Sequence, residues 1–293
     1  MAAITTSAPA GAIPAAGYAR PRFSWRVAAV LWAGIVVAFF AVVPFSLSKQ
    51  GGLPPEMAAL PLPQLLLRLA INVGIQAVVF CGLATLGLYL GTRVWLGLPW
   101  LTAWLHREPV PAGAALGRRF LLALIAGAVA GVAILAIDGL AFAPAVAVEL
   151  AAQQISPSEQ QVTTPVWQGL LASLYGGIAE ESLLRLFVMT LLVWLGSRIG
   201  RTADGRPSAV VIWGAILLAA ILFGAGHLLS TAATGVPLSA LVITRAIVLN
   251  GLGGVPFGWL YWRHGLETAM VAHWTADIVL YVAWPLIGGM AVA

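Results

Sequence analysis

Three groups of side chains in the C-terminal half of the sequence, each with at least one ionisable residue, have spacings suited to acid–base chemistry. Each group contains two residues four positions apart, which on a helix share a face. Carboxylates and imidazoles are the usual general acids and bases of enzymes, so these groups indicate proton transfer or hydrolysis. The groups are Glu180 and Glu181 with Arg185, Phe223 with His227, and His273 with Asp277.

The first group lies in the apolar run LYGGIAEESLLRLFVMT, residues 174–190. Glu181 and Arg185 can form an ion pair across one helical turn. Glu180 points about 100° away around the helix, and a desolvated carboxylate without its own arginine is suited to exchanging a proton with water. This predicts a general base at Glu180. The spacing leaves a second interpretation open, in which both glutamates serve Arg185 in a buried ion cluster that fixes helix packing.

The two histidine groups are less specific when each is taken alone. A single histidine near a helix end, such as His227, is more often a packed residue than a catalyst. His273 and Asp277 share a helix face, where the carboxylate can orient the imidazole tautomer, help to bind a metal ion or form a structural pair. Three such groups on three separate apolar runs favour one joint functional site.

Other kinds of hydrolytic site fit the sequence less well. Ser173 and Ser182 are available as nucleophiles, but neither lies in a Gly-rich serine motif, and the His-Glu-x-x-His pattern of zinc proteases does not occur. A metal ion bound by Glu180, His227 and His273 from separate helices is chemically open. No other cofactor is predicted, because the sequence has no P-loop and no dinucleotide fingerprint.

The elements that position these groups are predicted to be membrane helices. Of the 293 residues, 61% are hydrophobic and only 9% are charged, against about 25% charged residues in ordinary soluble domains. We therefore expect an all-α polytopic membrane bundle, with one membrane domain over residues 25–293 and the site within residues 166–289. Residues 1–24, rich in Ala and Pro, are expected to form a disordered cytoplasmic tail. The single cysteine, Cys81, excludes a disulfide within the chain.

Seven apolar runs reach the length of about 20 residues that crosses a bilayer. A shorter apolar segment, residues 95–105, raises the number to eight if it enters the membrane. Counting about 1.5 Å per residue places His227 towards the outer end of its span and His273 towards the inner end of its own, so a shared site requires the span boundaries to shift. The predicted spans are 25–47, 64–92, 119–143, 166–196, 208–230, 237–262 and 266–289.

Arginine residues fall in alternate loops, which predicts the orientation of the chain. Loops that stay in the cytoplasm carry the excess of Lys and Arg, so the N-terminus is expected inside and the C-terminus outside. The formal net charge of +5 follows from this rule and gives no support for a nucleic-acid partner. The lysine-poor composition favours a GC-rich bacterial source and hence an inner membrane. The basic residues of the cytoplasmic segments are Arg20, Arg22, Arg26, Arg93, Arg107, Arg118, Arg119, Arg198, Arg201, Arg206 and Arg263.

The three groups, in this order and on separate membrane helices, resemble the CPBP family of CAAX-protease and bacteriocin-processing intramembrane glutamic endopeptidases. The family pattern is Glu-Glu-x-x-x-Arg, then Phe-x-x-x-His, then His-x-x-x-Asn/Asp. The stretch GVPFGWLYWRHGLETAMVAHWTAD, residues 254–277, is also similar to the final helical hairpin of the family. The resemblance covers about residues 166–289.

The resemblance implies a catalytic role for four residues. Glu180 would activate a water molecule with the help of His227, and His273 with Asp277 would stabilise the oxyanion of the transition state. Asp277 stands where the family commonly has asparagine, and a carboxylate donates a hydrogen bond only when it is protonated, so here it is expected to orient His273. The supporting residues would be Glu181, Arg185 and Phe223.

The activity implied is metal-independent hydrolysis of peptide bonds at membrane depth. The substrate would be a membrane-associated or prenylated peptide or protein, and the bilayer and this substrate are the expected partners. Two alternatives stay open at this point: a non-catalytic membrane protein, such as a transporter, immunity factor or scaffold, and a metal-dependent protease that uses the same residues. The sequence predicts no oligomeric state.

Overall fold

A computed structural model describes residues 20–109, 116–154 and 164–287, and 83% of these residues are helical. They contain no β-strand. The predicted disordered tail lies outside the described residues except for its last five. Of these, Arg20 donates from Nε to the Thr92 carbonyl oxygen over 2.6 Å, and Ser24 caps the first helix through its side chain.

The helices follow one another with short connections. Pro54, Pro61 and Pro165 each stand immediately before a helix, and Pro99 is the first residue of another. A proline in or just before the first turn of a helix costs no hydrogen bond. A π-helical turn, Asp138–Phe142, joins α5 to α6. The helices are α1 (Trp25–Lys49), α2 (Pro55–Ala58), α3 (Leu62–Val94), α4 (Pro99–His106), α5 (Leu116–Ile137), α6 (Ala143–Ala152), α7 (Val166–Leu174), α8 (Thr190–Gly196), α9 (Ala209–Ala233), α10 (Ala240–His264), α11 (Leu266–Ile278) and α12 (Trp284–Leu286).

Within the described ranges, six helical segments are long and apolar enough to cross a membrane. They correspond to six of the seven predicted spans, and their outer surface carries large apolar side chains such as Val78, Leu140 and Val210, exposed by 71%, 85% and 82%. Soluble monomers rarely expose large contiguous apolar patches. The predicted all-α polytopic membrane bundle is therefore confirmed. The six segments are Trp25–Lys49, Leu62–Val94, Gly117–Ala152, Ala209–Ala233, Ala240–His264 and Leu266–Leu286.

The remaining predicted span, residues 166–196, is helical throughout but is not a regular α-helix. Between α7 and α8 it contains two π-helical stretches, Tyr175–Glu180 and Ser182–Met189. We call residues 166–196 the motif helix. Wide π turns are rare and are frequently found at functional sites. Here they contain or flank all three charged residues of the first group.

Small residues set the distances between the central helices. A Cβ atom added to Gly127 of α5 would lie 2.1 Å from the Ala272 carbonyl oxygen of α11, and one added to Gly169 would lie 2.5 Å from the Tyr281 carbonyl oxygen. In a membrane the hydrophobic effect does not drive helices together, so close packing of small residues supplies much of the attraction. These glycines bring α5 and the motif helix into backbone contact with the last span.

The arginine-bearing segments gather at one end of the bundle. The guanidinium carbons of Arg20 and Arg206 lie 5.0 and 5.4 Å from the centre of the Trp95 ring, and Arg119 lies 5.9 Å from the Trp100 ring. The short apolar segment that could have formed an eighth span contains most of α4, which packs among these arginines. We call this the arginine-rich end.

Gly265 forms the whole connection between α10 and α11 at the arginine-rich end. Its φ of +95° suits glycine, and a Cβ atom there would lie 2.5 Å from Pro99 Cδ. The next amide, of Leu266, donates to the Gly97 carbonyl oxygen over 3.0 Å. The turn is thereby fixed to the segment before α4.

Candidate active site

The motif helix places its two adjacent glutamates on either side of one imidazole ring. Glu181 Oε1 lies 2.8 Å from His273 Nδ1, and Glu180 Oε2 lies 3.7 Å from His273 Nε2. Two neighbouring residues of one helix thus approach opposite nitrogens of the same side chain. The predicted combination of the first and third groups is present in the structure.

Glu181 is the buried centre of this arrangement. Its side chain is 0% exposed, and the same oxygen that accepts from His273 lies 3.1 Å from Arg185 Nη1. With Glu181 as the acceptor of this bond, His273 donates from Nδ1 and turns Nε2 away from Glu181. The expected pair of Glu181 and Arg185 is present, and the structure adds His273 as a third member.

Arg185 contacts groups from three helices. Its Nη2 donates to the Gly254 carbonyl oxygen over 3.2 Å. Its guanidinium carbon lies 5.1 Å from the centre of the Phe223 ring and 5.6 Å from that of Phe257, within the range of cation–π attraction. Phe223 of the second group on α9 therefore packs on the arginine of the first group.

Asp277 lies beside Glu180 at the outward nitrogen of His273. Its Oδ2 is 3.8 Å from Nε2, which is too long for a direct hydrogen bond. The carboxylate therefore does not orient the ring by a direct bond in this structure, and Glu181 does so instead. The backbone of Gly176 makes the approach possible, because a Cβ atom there would lie 2.2 Å from Asp277 Oδ2 and 3.1 Å from His273 Nε2.

Aromatic rings connect the two histidines. The Phe257 ring stacks on His273 with centroids 5.1 Å apart and an angle of 25° between the planes. Phe223 packs edge-on against both His273 and His227, at 5.6 and 4.8 Å. His227 Nδ1 donates to the Phe223 carbonyl oxygen over 2.9 Å, which leaves Nε2 free to face other groups.

These side chains line one cavity of about 570 Å³. Glu180, His227, His273 and Asp277 all contribute to its wall, so the two histidines that simple counting placed at different depths share one space. Helix α9 continues to Ala233, three residues beyond the predicted end of its span. The predicted boundary was therefore too early, as a shared site required.

A second charged pair includes one residue of the cavity wall, Arg245. Arg245 of α10 donates from Nε and Nη2 to the two oxygens of Asp138, over 2.7 and 2.8 Å, and Asp138 is only 3% exposed. The sequence did not predict this pairing. The residues are 107 positions apart, and no local pattern joins them.

The alternative nucleophiles and ligands are less well placed. Ser173 and Ser182 are both 0% exposed, and each hydroxyl donates back to a carbonyl oxygen of its own helix, at 2.8 and 2.7 Å. Among the described residues, no three His, Cys, Asp or Glu side chains are arranged to hold a metal ion. One nitrogen of His273 is already occupied by Glu181.

Comparison with known proteins identifies the region that carries these residues. Residues 162–279 match the family model described as Type II CAAX prenyl endopeptidase Rce1-like. No curated protein and no solved structure matches the chain. The match spans all three groups of side chains and confirms the predicted resemblance to the CAAX-protease family of membrane proteases.

Proposed function

We propose that the protein is an intramembrane endopeptidase in which Glu180 activates a water molecule to attack a peptide bond. The observation that carries this proposal is the convergence of Glu180, His227, His273 and Asp277 on one cavity. The coarser statement, that the chain is related to membrane peptide hydrolases, rests on the family match.

Glu180 is the best placed base of the cluster. Its side chain is 21% exposed, while that of Glu181 is 0% exposed and already bound to His273 and Arg185. A general base must lie within hydrogen-bond reach of the water whose proton it takes, and Glu180 is the glutamate that faces the cavity. Glu181 would then have a structural role, in its contacts with His273 and Arg185.

The oxyanion of the transition state would form near His273 Nε2. Because Nδ1 donates to Glu181, a protonated ring presents its second N–H to the cavity. A preoriented donor of this kind contributes most where water is excluded, and the stacked Phe257 ring keeps the imidazole in place. His227, whose Nδ1 is fixed by its own helix, would assist in positioning the water.

The proposed substrates are membrane-associated or prenylated peptides and proteins, as the description of the family implies. The cavity has apolar walls and a few convergent polar groups, as binding pockets commonly do. A bacterial inner membrane, inferred from the arginine-dominated composition, is the proposed location.

The test is cleavage by the purified protein and by its Glu180→Gln variant. The probe is a set of internally quenched peptides, with and without a farnesyl group, and products are identified by mass spectrometry. We expect Glu180→Gln to lose cleavage while the fold is kept, because glutamine has the same shape but takes no proton. Equal turnover by the variant would overturn the proposal. Glu56→Gln, an exposed glutamate in the first turn of α2, is the matched control.

The same assay separates the two alternatives. A metal-dependent protease would lose activity to a chelator and contain metal in the purified state, whereas we expect neither. A transporter or scaffold would show no peptide cleavage with any probe, and substitution of Glu180 would alter only transport or assembly. Burial of the cluster opposes the scaffold interpretation, since ionisable groups at membrane depth are costly.

A further inference from the structure

The candidate site has more hydrogen-bond acceptors than donors around the nitrogen that faces the cavity. His273 Nε2 has Glu180 Oε2 at 3.7 Å and Asp277 Oδ2 at 3.8 Å. A carboxylate donates a hydrogen bond only when it is protonated. The oxyanion of peptide hydrolysis is stabilised by preoriented donors, and the loss of one donor typically lowers kcat by about 10²–10³-fold. A donor in addition to His273 is therefore expected from another residue of the cavity wall.

Two tyrosines of the cavity wall, Tyr175 and Tyr281, have hydroxyl groups that make no hydrogen bond with any residue the structure describes. Several other donors of the wall are already used. Asn250 Nδ2 donates to the Ala246 carbonyl oxygen over 2.8 Å. Carbonyl oxygens of α9 accept from the hydroxyls of Ser230, Thr231 and Thr234. The two tyrosine hydroxyls thus keep their protons for a bound substrate.

The first π-helical stretch places Tyr175 on the same side of the motif helix as Glu180. The two residues are the first and the last of this stretch, and a π turn closes between residues five apart. In an α-helix, side chains five residues apart would point about 140° away from each other. Both residues line the cavity, and a Cβ atom on the next residue, Gly176, would lie 3.1 Å from His273 Nε2. Tyr175 therefore belongs to the part of the wall that holds Glu180 and His273.

Aromatic packing fixes the Tyr175 ring. Its centroid lies 5.2 Å from that of Phe39 in an edge-to-face arrangement, with 84° between the planes. Phe39 is only 4% exposed and packs in the same way on Phe80, with centroids 4.8 Å apart. Apolar contacts thus hold the ring without engaging the hydroxyl proton. A donor held in this way needs no reorganisation at the moment of reaction.

We propose that the Tyr175 hydroxyl donates a hydrogen bond to the oxyanion, as a second donor beside His273 Nε2, and so supplies what the Asp277 carboxylate does not. This inference rests on the proposed function. When the water attacks, its proton passes to Glu180, its oxygen forms a bond to the carbonyl carbon, and the carbonyl π electrons move to the carbonyl oxygen. Tyr175 keeps its proton and stabilises the new charge by hydrogen bonding alone.

The first experiment compares the cleavage kinetics of Tyr175→Phe and the unmodified protein with a quenched peptide. Phenylalanine keeps the ring and its contact with Phe39 and removes only the hydroxyl. We expect kcat to fall by about 10²–10³-fold with KM nearly unchanged, because the hydrogen bond is made only in the transition state. The melting temperature should stay the same, since the hydroxyl has no protein partner to lose. An unchanged kcat, or a change confined to KM, would overturn the inference.

Tyr281→Phe is the matched control, because it removes the same group from the same cavity. A Cβ atom added to Gly169 would lie 2.7 Å from Tyr281 Cβ. Tyr281 therefore packs beside a residue six positions before Tyr175, about 9 Å along the motif helix and further from Glu180. We expect its kcat to stay close to that of the unmodified protein. A loss as large as that of Tyr175→Phe would overturn the assignment to Tyr175.

The second experiment measures whether a donor at position 277 replaces the hydroxyl. Asp277→Asn adds an amide N–H donor, and Tyr175→Phe is combined with it in a double-mutant cycle. We expect Tyr175→Phe to lower kcat by a smaller factor in the Asp277→Asn protein than in the unmodified protein. A purely structural role of the hydroxyl would give the same factor in both proteins. Equal factors would therefore contradict the inference.

Failure of this inference and failure of the proposed function give different results. If the unmodified protein cleaves the peptide, Glu180→Gln does not, and Tyr175→Phe cleaves at the full rate, the inference fails and the protease activity stands. If the unmodified protein cleaves no probe, or Glu180→Gln cleaves as fast as it does, the proposed function fails and the role of Tyr175 falls with it.

Discussion

Replacing Gly176 with alanine tests the geometry of the candidate site without removing any polar group. The added Cβ would lie 2.2 Å from Asp277 Oδ2, whereas ordinary contacts begin at 3.4 Å, so one of the two must move by about 1.2 Å. A misplacement of about 1 Å near the reacting atoms can cost about 100-fold in rate. We therefore expect the cleavage rate of Gly176→Ala to fall by about that factor.

The expected cost in stability is much smaller. Overpacking of a well-filled site costs about 1–3 kcal/mol, and alanine is favoured over glycine within a helix by about 1 kcal/mol. The net loss in the free energy of unfolding is then about 0–2 kcal/mol. A fall in rate at nearly unchanged stability would place the defect at the site and not in the fold.

Two further glycine variants serve as controls. Gly177→Ala presses on the Met270 carbonyl oxygen and on Trp274 Cβ, both at 3.0 Å, so it disturbs the same helix contact away from Asp277 and by a smaller distance. Gly82→Ala meets nothing within 4 Å and should leave the rate unchanged. The assay is single-turnover cleavage of a quenched peptide, with thermal unfolding measured on the same samples.

Two results for the cleavage rates would refute this prediction. Gly176→Ala cleaving at the rate of the unmodified protein would mean that the close approach of the motif helix to Asp277 has no part in the reaction. An equal loss of rate in Gly177→Ala at equal stability would assign the effect to helix packing. Either result would contradict the assignment of the lost rate to the contact with Asp277.

Two other substitutions test neighbouring contacts. Glu181→Gln leaves Arg185 buried without its counter-charge, so we expect the free energy of unfolding to fall by about 3–5 kcal/mol. Thermal unfolding measures this loss, and an unchanged melting temperature would contradict the ion-pair assignment. Asp277→Asn keeps the shape of the side chain and adds a donor for the oxyanion, so we expect cleavage to persist. Asp277→Leu should lower the rate by about 10²–10³-fold, and equal rates for the two variants would exclude a polar role.

The spans could be predicted from the sequence because apolar length alone specifies them. Helix α1 ends two residues beyond the predicted boundary, and Leu266 begins the last span as expected. The predicted third span was too short, because the chain continues through the π-helical turn Asp138–Phe142 into α6. No periodic pattern marks such a turn, so the sequence offered no signal for the extension.

The candidate site could be predicted only in part. Spacing of four residues revealed Glu181 with Arg185, since both lie on one helix. The hydrogen bond from His273 to Glu181 and the pairing of Arg245 with Asp138 join residues 92 and 107 positions apart. Helical periodicity shows which face of a helix is polar but not which helix lies opposite, so these contacts needed the three-dimensional arrangement.

The π-helical stretches of the motif helix determine how the site would respond to deletion of a single residue. Loss of one residue between Tyr175 and Met189 would let a wide turn close into an ordinary α-helical one, a more regular backbone with better hydrogen-bond geometry. It would also rotate Glu180 by about 100° relative to one end of the helix, away from His273. Under the proposed mechanism, the more regular helix is the inactive one. A deletion in this stretch would therefore abolish hydrolysis even where the bundle still folds.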